Sequence, residues 1–384
     1  MFFIILNIVG SLMHFYLAQR IHSLGAVRRR IPARAWWPAV VALWLVYLAG
    51  IQLGDAALDW RWWPGQFAFT WLGVLFVTTQ YTLLADLLTG FGSGFGFRWK
   101  RQAPRVLAVG LVAGFGISAF AIFQAVRAPA ITRHELVLPG LPRALDGTVL
   151  VAISDTHLGA QRRAAWLGAR VDQINALDPA VVVMLGDQVE DEPVNDDQLA
   201  PVLRRLRAPL GVWAVTGNHE YYGDAGATIA EFAAGGVRWL RDERVEIAPG
   251  LHLAGLDDIG RAMHGGDIFA GLARTIPERA AGATILLAHI PAPALVQRAA
   301  QEGVALMLSG HTHAGQIWPF GYLVKRRFPQ LVGLHREGAM QLVISRGAGG
   351  WGPRMRLWQP GEILKLTLRA PAAAAPAPSP APTR

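Results

Sequence analysis

Two hydropathy patterns divide the chain. Over the first 130 residues apolar positions form long runs, Phe2–Leu17, Trp37–Leu53, Phe67–Leu88 and Val106–Val126, and Asp86 is the acid near the end of the third. A helix needs about 20 mostly apolar residues to cross a bilayer core of ~30 Å, so these runs predict a module of about four spanning helices over residues 1–130. The paired Trp36-Trp37 suits a membrane interface, and the glycines of the fourth run permit close helix approach. Four such runs, with charges kept to the connections, argue against buried helices of a soluble all-α domain. Met1-Phe2-Phe3 offers no basic n-region and more apolar runs follow, so the first run reads as a span and not as a signal peptide.

From Ile131 onward the runs become short and β-branched. Gly147–Asp155, Ala180–Asp187, Gly211–Asn218, Ala283–His289 and Val304–His311 each read as a buried strand closed by a polar residue. Weaker strands lie in 251–258, 340–347 and 362–368, and helices are predicted over Ala164–Leu177 and Gln198–Arg207. This alternation predicts an α/β domain over 131–369, with ligands beyond the carboxyl ends of its strands. Residues 370–384 are Ala/Pro-rich and read as a disordered tail.

Composition sharpens this division. Only 16% of residues are charged and 52% are hydrophobic, against roughly 25% charged in an average soluble protein. The net charge of +9 is concentrated: residues 1–130 hold 11 basic and 3 acidic groups, the remainder 25 and 24. A membrane therefore explains the basicity, and no nucleic-acid partner is expected. The first loop carries Arg20, Arg28, Arg29, Arg30 and Arg34, and the third Arg98, Lys100, Arg101 and Arg105. The second has Asp55, Asp59 and only Arg61. Lys/Arg asymmetry places loops one and three in the cytoplasm and everything after Val126 outside it, although Arg127 and Arg133 weigh slightly against this. The expectation is an integral plasma- or inner-membrane protein with an extracytoplasmic domain. The absence of cysteine excludes thiolate nucleophiles, disulfides and Cys-ligated zinc.

The strand ends deliver Ser154-Asp155-Thr156-His157, Gly186-Asp187, Gly217-Asn218-His219-Glu220, His289 and Gly310-His311-Thr312-His313. Each motif alone is weak: a D-x-H is mostly chance, and a lone histidine mostly core. In conjunction, each straight after a strand, they form a converging set of nitrogen and oxygen donors. Buried charges gather only when something compensates them. Two divalent cations would do so, as in sites with metals ~3.5–4 Å apart, and Asp187 is central enough to bridge them.

The series D-x-H, G-D-x-x-[DE], G-N-H-[DE], H and G-H-x-H resembles the calcineurin-like metallophosphoesterase superfamily over Gly147–Arg369. The strings Gly-Asn-His-Glu-Tyr-Tyr, Gly-His-Thr-His-Ala-Gly-Gln-Ile and Ser-Arg-Gly-Ala-Gly-Gly-Trp-Gly resemble its membrane-associated bacterial phosphodiesterase branch. The resemblance implies a four-layer α/β/β/α sandwich behind the transmembrane module. It also implies one metal at Asp155, His157, Asp187 and His313 and a second at Asp187, Asn218, His289 and His311. His219 would be the unliganded catalytic imidazole, protonating a leaving alkoxide, with Glu220 helping to orient it. Nitrogen and oxygen ligation suits Mn, Fe or Zn. Glu190 or Asp191 fills the supporting acidic position, and Ala314 stands where glycine is frequent.

The expected function is hydrolysis of a phosphate ester, of an envelope or lipid-linked kind, by a membrane-anchored enzyme. A UDP-diacylglucosamine-type pyrophosphatase at the cytoplasmic face is the alternative, and the predicted topology opposes it. A non-catalytic metal sensor or scaffold is the second alternative. Set apart from the site are His252 as structural, Asp257-Asp258 and His264 as open cases, and His14 and His22 as interfacial. Lys325-Arg326-Arg327, after Trp318, Phe320 and Tyr322, reads as a solvated loop or a headgroup contact.

Overall fold

The computed structural model describes residues 2–53, 62–93, 101–159, 162–190, 199–260, 263, 266–276 and 281–372. Phe2–Ser23, Ala33–Leu53, Trp62–Leu88 and Ala103–Val126 are helices, and all four are long and apolar enough to cross a membrane. The first continues past the predicted Leu17 to Ser23 because its charge is neutralised within the bundle. Arg20 pairs with Asp86 of the third helix, and the Tyr16 hydroxyl donates to the same carboxylate at 2.6 Å. Arg20 thus belongs to a helix and not to the first loop.

His14, expected at an interface, is instead buried in the bundle. The Trp71 indole donates to its Nδ1 at 3.3 Å, and its Nε2 faces the Val40 carbonyl at 3.0 Å. Both ring nitrogens are satisfied there, which removes the need for water. His22 stacks on Trp36, ring centres 5.6 Å apart. Asp55, Asp59, Arg61, Arg98 and Lys100 lie outside the described residues.

The second half builds two sheets. The strands are β1 (Ala130–Val137), β2 (Thr148–Ile153), β3 (Val181–Leu185), β4 (Val212–Val215), β5 (Val237–Trp239), β6 (Glu243–Ala248), β7 (Leu251–Gly255), β8 (Ala283–Leu287), β9 (Leu306–Ser309), β10 (Gly333–Glu337), β11 (Met340–Ile344) and β12 (Glu362–Arg369). One six-stranded sheet has the order β1-β12-β2-β3-β4-β5, the other β10-β11-β9-β8-β7-β6. The inner strands β3, β8 and β9 are apolar throughout because both of their faces are covered. Val181, Val183 and Leu185 point into the core between the sheets, together with Ile285 and Leu287. Val182 and Met184 face the other way, onto the helix Ala164–Asn175. Leu286 and Met307 pack on the helix Pro293–Gln301. The result is a helix–sheet–sheet–helix sandwich.

β2, β3 and β4 are parallel neighbours, as are β8 and β9, so their carboxyl ends share one rim. At that rim the domain docks on the third and fourth spanning helices. Ile317, Met355 and Leu357 pack with Val74, Val77 and Ala121. The Arg356 N–H donates to the Ala121 carbonyl at 2.9 Å, and the Gln124 amide donates to the Trp358 carbonyl at 2.7 Å. At the other end of the domain the Ala370 N–H donates to Asp146 at 2.8 Å. Residues 373–384 of the predicted tail lie outside the described residues.

Candidate metal centre

Each strand of the rim hands over to a tight turn. Asp155 (φ 51°), His157 (46°), Asp187 (51°), His311 (69°) and His313 (48°) all adopt the left-handed backbone conformation. A non-glycine residue held there costs on the order of 1–3 kcal/mol, and such residues cluster where function requires them. Glycines let the turns touch. A Cβ on Gly186 would stand 2.7 Å from His289 Nδ1 and 2.8 Å from the Gly217 nitrogen.

The turns bring the predicted donors together. Asp155, His157 and His313 form one group of potential ligand atoms, and Asp187, His289 and His311 another. A third joins His157, Asp187 and His219; within each group the atoms lie within 4.8 Å of one another. His313 Nε2 is 3.3 Å from Asp155 Oδ1 and 3.2 Å from His157 Nε2. His289 Nε2 is 3.1 Å from Asp187 Oδ2.

Some of the rings have a partner behind them, which sets which atom faces the cluster. His289 Nδ1 donates to the Leu185 carbonyl at 2.7 Å, and His157 Nδ1 lies 2.9 Å from Glu190 Oε2. Glu190 therefore supports the site; Asp191 lies outside the described residues. Asn218 donates through Nδ2 to the Tyr222 hydroxyl at 3.0 Å, while its buried Oδ1 has no partner. His219 Nδ1 meets the Glu190 carbonyl at 2.9 Å, so Nδ1 carries a proton and Nε2 is the atom presented.

Glu220 works on the backbone. Its carboxylate accepts N–H bonds from Gly217 (2.6 Å), Gln188 (2.6 Å) and Asp187 (3.0 Å), tying the turn after β4 to the turn after β3. It holds His219 in place by holding that turn.

Electrostatics favour a cation here. Burial pushes the Asp155 carboxyl above its usual range, with Asp187 adding to the rise. Burial also works against an ionised Asp187, yet His289 outweighs it and holds that carboxyl well below the usual value. In return His289 is lifted to about 10 despite its burial. Burial, reinforced by His289, drops His311 to about 3, and burial beside His157 lowers His313. Imidazoles, of which burial lowers His311 and His313, together with the Asp155 and Asp187 carboxylates and an unpartnered amide oxygen, are a donor set that a divalent ion of borderline softness takes.

Further residues complete the surroundings of the cluster, and of these Arg356 carries no local sequence signal. Arg356, fully buried, donates to the carbonyls of Arg346 (2.7 Å) and Gly349 (2.8 Å). It thereby shapes the loop whose Gly347 abuts Asp155. Ser154 Oγ donates to Asp155 Oδ2 at 2.5 Å. Trp351 and Tyr222 flank the His219 ring at 6.4 and 4.7 Å. Of the residues set apart, His252 sits on β7 opposite Thr284, outside the cluster. Asp257 accepts from Thr216 and Tyr221, each at 2.5 Å, and from Arg241 at 2.9 Å. Asp258 accepts from the Gly260 N–H at 3.0 Å. His264 lies outside the described residues.

Comparison with known proteins agrees with this geometry. A family model described as calcineurin-like phosphoesterase matches residues 148–315. A protein of Bos taurus, transmembrane protein with metallophosphoesterase domain, is 35% identical over 271 residues, covering 66% of this chain and 60% of its own length. A Danio rerio protein of the same name is 29% identical, over 96% of this chain and 89% of that protein. An uncharacterized metallophosphoesterase of Aquifex aeolicus is 32% identical over 62% of this chain and 91% of its own. The chain thus spans less than two thirds of the bovine relative, while the zebrafish match runs through the spanning helices as well. Fold, donor cluster and relatives converge: this membrane protein belongs to the calcineurin-like metallophosphoesterases, a family of metal-dependent phosphoric ester hydrolases.

Proposed function

We propose that the protein is a membrane-anchored phosphohydrolase with a dinuclear centre, arranged as a spanning module (1–130), a catalytic domain (131–369) and an Ala/Pro-rich tail (370–384). The observation that carries this reading is the convergence of Asp155, His157, Asp187, His289, His311 and His313 from separate strand ends into overlapping donor groups. Asp155, His157, Asp187 and His313 hold one divalent ion, and Asp187, Asn218, His289 and His311 the other; Mn, Fe or Zn suits these ligands. The chemistry such a pair supplies when bound is a nucleophile generated from water and an offset to phosphoryl charge.

The chain's own residues do the rest. His219, its Nδ1 engaged by Glu190, gives up a proton at Nε2 to the departing ester oxygen. Tyr222 holds the Asn218 amide so that Oδ1 is its ligating atom. Glu220 keeps the two turns in register. The substrate is a phosphodiester or phosphomonoester of the envelope or of a lipid-linked compound, and the excess of Lys/Arg in loops one and three supports an extracytoplasmic site.

The test is hydrolysis of a 4-nitrophenyl phosphodiester by the purified full chain with Mn²⁺, alongside metal analysis. Turnover that vanishes in Asp187→Ala and His219→Ala, with two ions per chain, is expected. One ion per chain would overturn the dinuclear reading, and no turnover would overturn the catalytic one. An alkaline phosphatase fusion after Val126 should be active; an inactive fusion would put the site in the cytoplasm.

A further inference from the structure

A cavity of ≈ 260 Å³ lies beside the cluster. Its lining includes both His313, one of the candidate ligands, and Leu357 and Trp358, which touch the spanning helices. The aromatic Trp318 and Tyr322 line the same space, as does Lys325. The Lys325 ammonium has no partner among the described residues. One continuous surface thus runs from the metal centre to the membrane helices.

That surface continues outside the cavity. The helix Phe320–Arg327 starts against the third spanning helix, where Phe320 stacks on Phe76 at 4.7 Å. Trp358 meets Phe120 of the fourth, ring centres 6.2 Å apart. Tyr322 is 70% and Leu323 59% exposed, and the exposed Lys325, Arg326 and Arg327 follow them. Apolar and aromatic side chains that end in cations are suited to the boundary between hydrocarbon and water. A soluble ester would reach the cluster from the aqueous side and would leave these rings facing water without use, whereas exposed apolar patches of this kind mark binding sites.

From these contacts, and resting on the hydrolytic reading above, we infer that the cavity receives the apolar stem of an amphiphilic phosphate ester resident in the bilayer. The phosphate reaches the His/Asp cluster past His313. The stem lies between Trp318 and Tyr322 toward Trp358, and Lys325 meets the negative charge of the headgroup. The site therefore selects membrane-embedded over freely soluble esters.

The test uses the full chain in nanodiscs of zwitterionic lipid with 4-nitrophenyl methyl and dodecyl phosphodiesters. KM for the dodecyl ester should lie about 10-fold or more below that for the methyl ester, since each buried methylene contributes severalfold. In Tyr322→Ala and Lys325→Ala that ratio, taken against each variant's own methyl-ester rate, should shrink several-fold. Partitioning into lipid is the same for all proteins, so a ratio unchanged in both variants would overturn the proposal, as would equal KM values in the unmodified chain. Titration of the non-hydrolysable dodecylphosphonate, with methylphosphonate for comparison, gives a second readout. Preferential dodecylphosphonate binding that weakens in Tyr322→Ala supports the cavity assignment even if neither ester is turned over, an outcome that would sink the hydrolytic reading alone. Equal binding of the two phosphonates would overturn the cavity assignment.

Discussion

Two buried charge clusters, one in each half of the chain, solve the same problem differently. In the membrane module Asp86 is closed off by Arg20 and Tyr16, an acid matched by a cation and a hydroxyl. At the strand rim Asp155 and Asp187 face a ring of imidazoles, of which burial lowers His311 and His313 while Asp187 raises His289. The first cluster is complete as the chain folds. The second leaves the Asn218 oxygen unmatched, and bound cations would balance it. Self-sufficiency marks a structural pair; an imbalance kept in strained turns marks a site.

This contrast can be broken most severely at Asp187. Asp187→Ala should reduce hydrolysis by ~10³-fold or more, because on the proposed dinuclear reading it removes the carboxylate that both ions would share, at a cost of several kcal/mol to the rate. Steady-state kinetics and metal analysis check this, and the spanning module should keep its thermal transition. Asp86→Ala should do the reverse. Leaving the half-buried Arg20 without its partner costs about 1–3 kcal/mol, visible as early unfolding in detergent, with kcat close to that of the parent. A double change of Arg20 and Asp86 to leucine should recover most of that loss, which a catalytic role for the pair would not allow.

A smaller effect is expected at Glu220. Glu220→Gln weakens the N–H bonds that join the two turns, so activity should fall roughly 10–100-fold, as when groups behind metal ligands are altered; the fall should be in kcat more than in KM. The smallest contrast is between apolar positions. Leu308→Ala in the sheet core should cost about 2–5 kcal/mol. Val112→Ala, at 73% exposed on the fourth spanning helix, should stay within about 0.5 kcal/mol in denaturant titrations.

The same difference explains what could be read from residue order. The spanning helices were legible because lipid accepts apolar side chains all round. Their limits were less so: Arg20 looks like a loop residue until Asp86, far away in sequence, neutralises it. β2, β3, β8 and β9 were legible as unbroken apolar runs covered on both faces. β1, β6 and β10 lie at or near sheet edges and mix charge with apolar residues, as in Thr-Arg-His-Glu of β1, and escaped notice. The cluster was legible because each donor directly follows a strand. The motif after β3 narrows the acid behind His157 to Glu190 or Asp191, whereas Arg356 beneath the Asp155 loop and the cavity beside Trp318 arise from contacts between distant segments that no local pattern announces.

The bonds from Arg356 and Trp358 onto Ala121 and Gln124 have a mechanical consequence. Because the domain is clamped to the bundle at its working edge as well as joined to it through the chain after Val126, it cannot swing on a tether. The distance of the donor cluster from the spanning helices is therefore fixed by the fold, and under the proposed function a bond to be cut would have to be presented at that level.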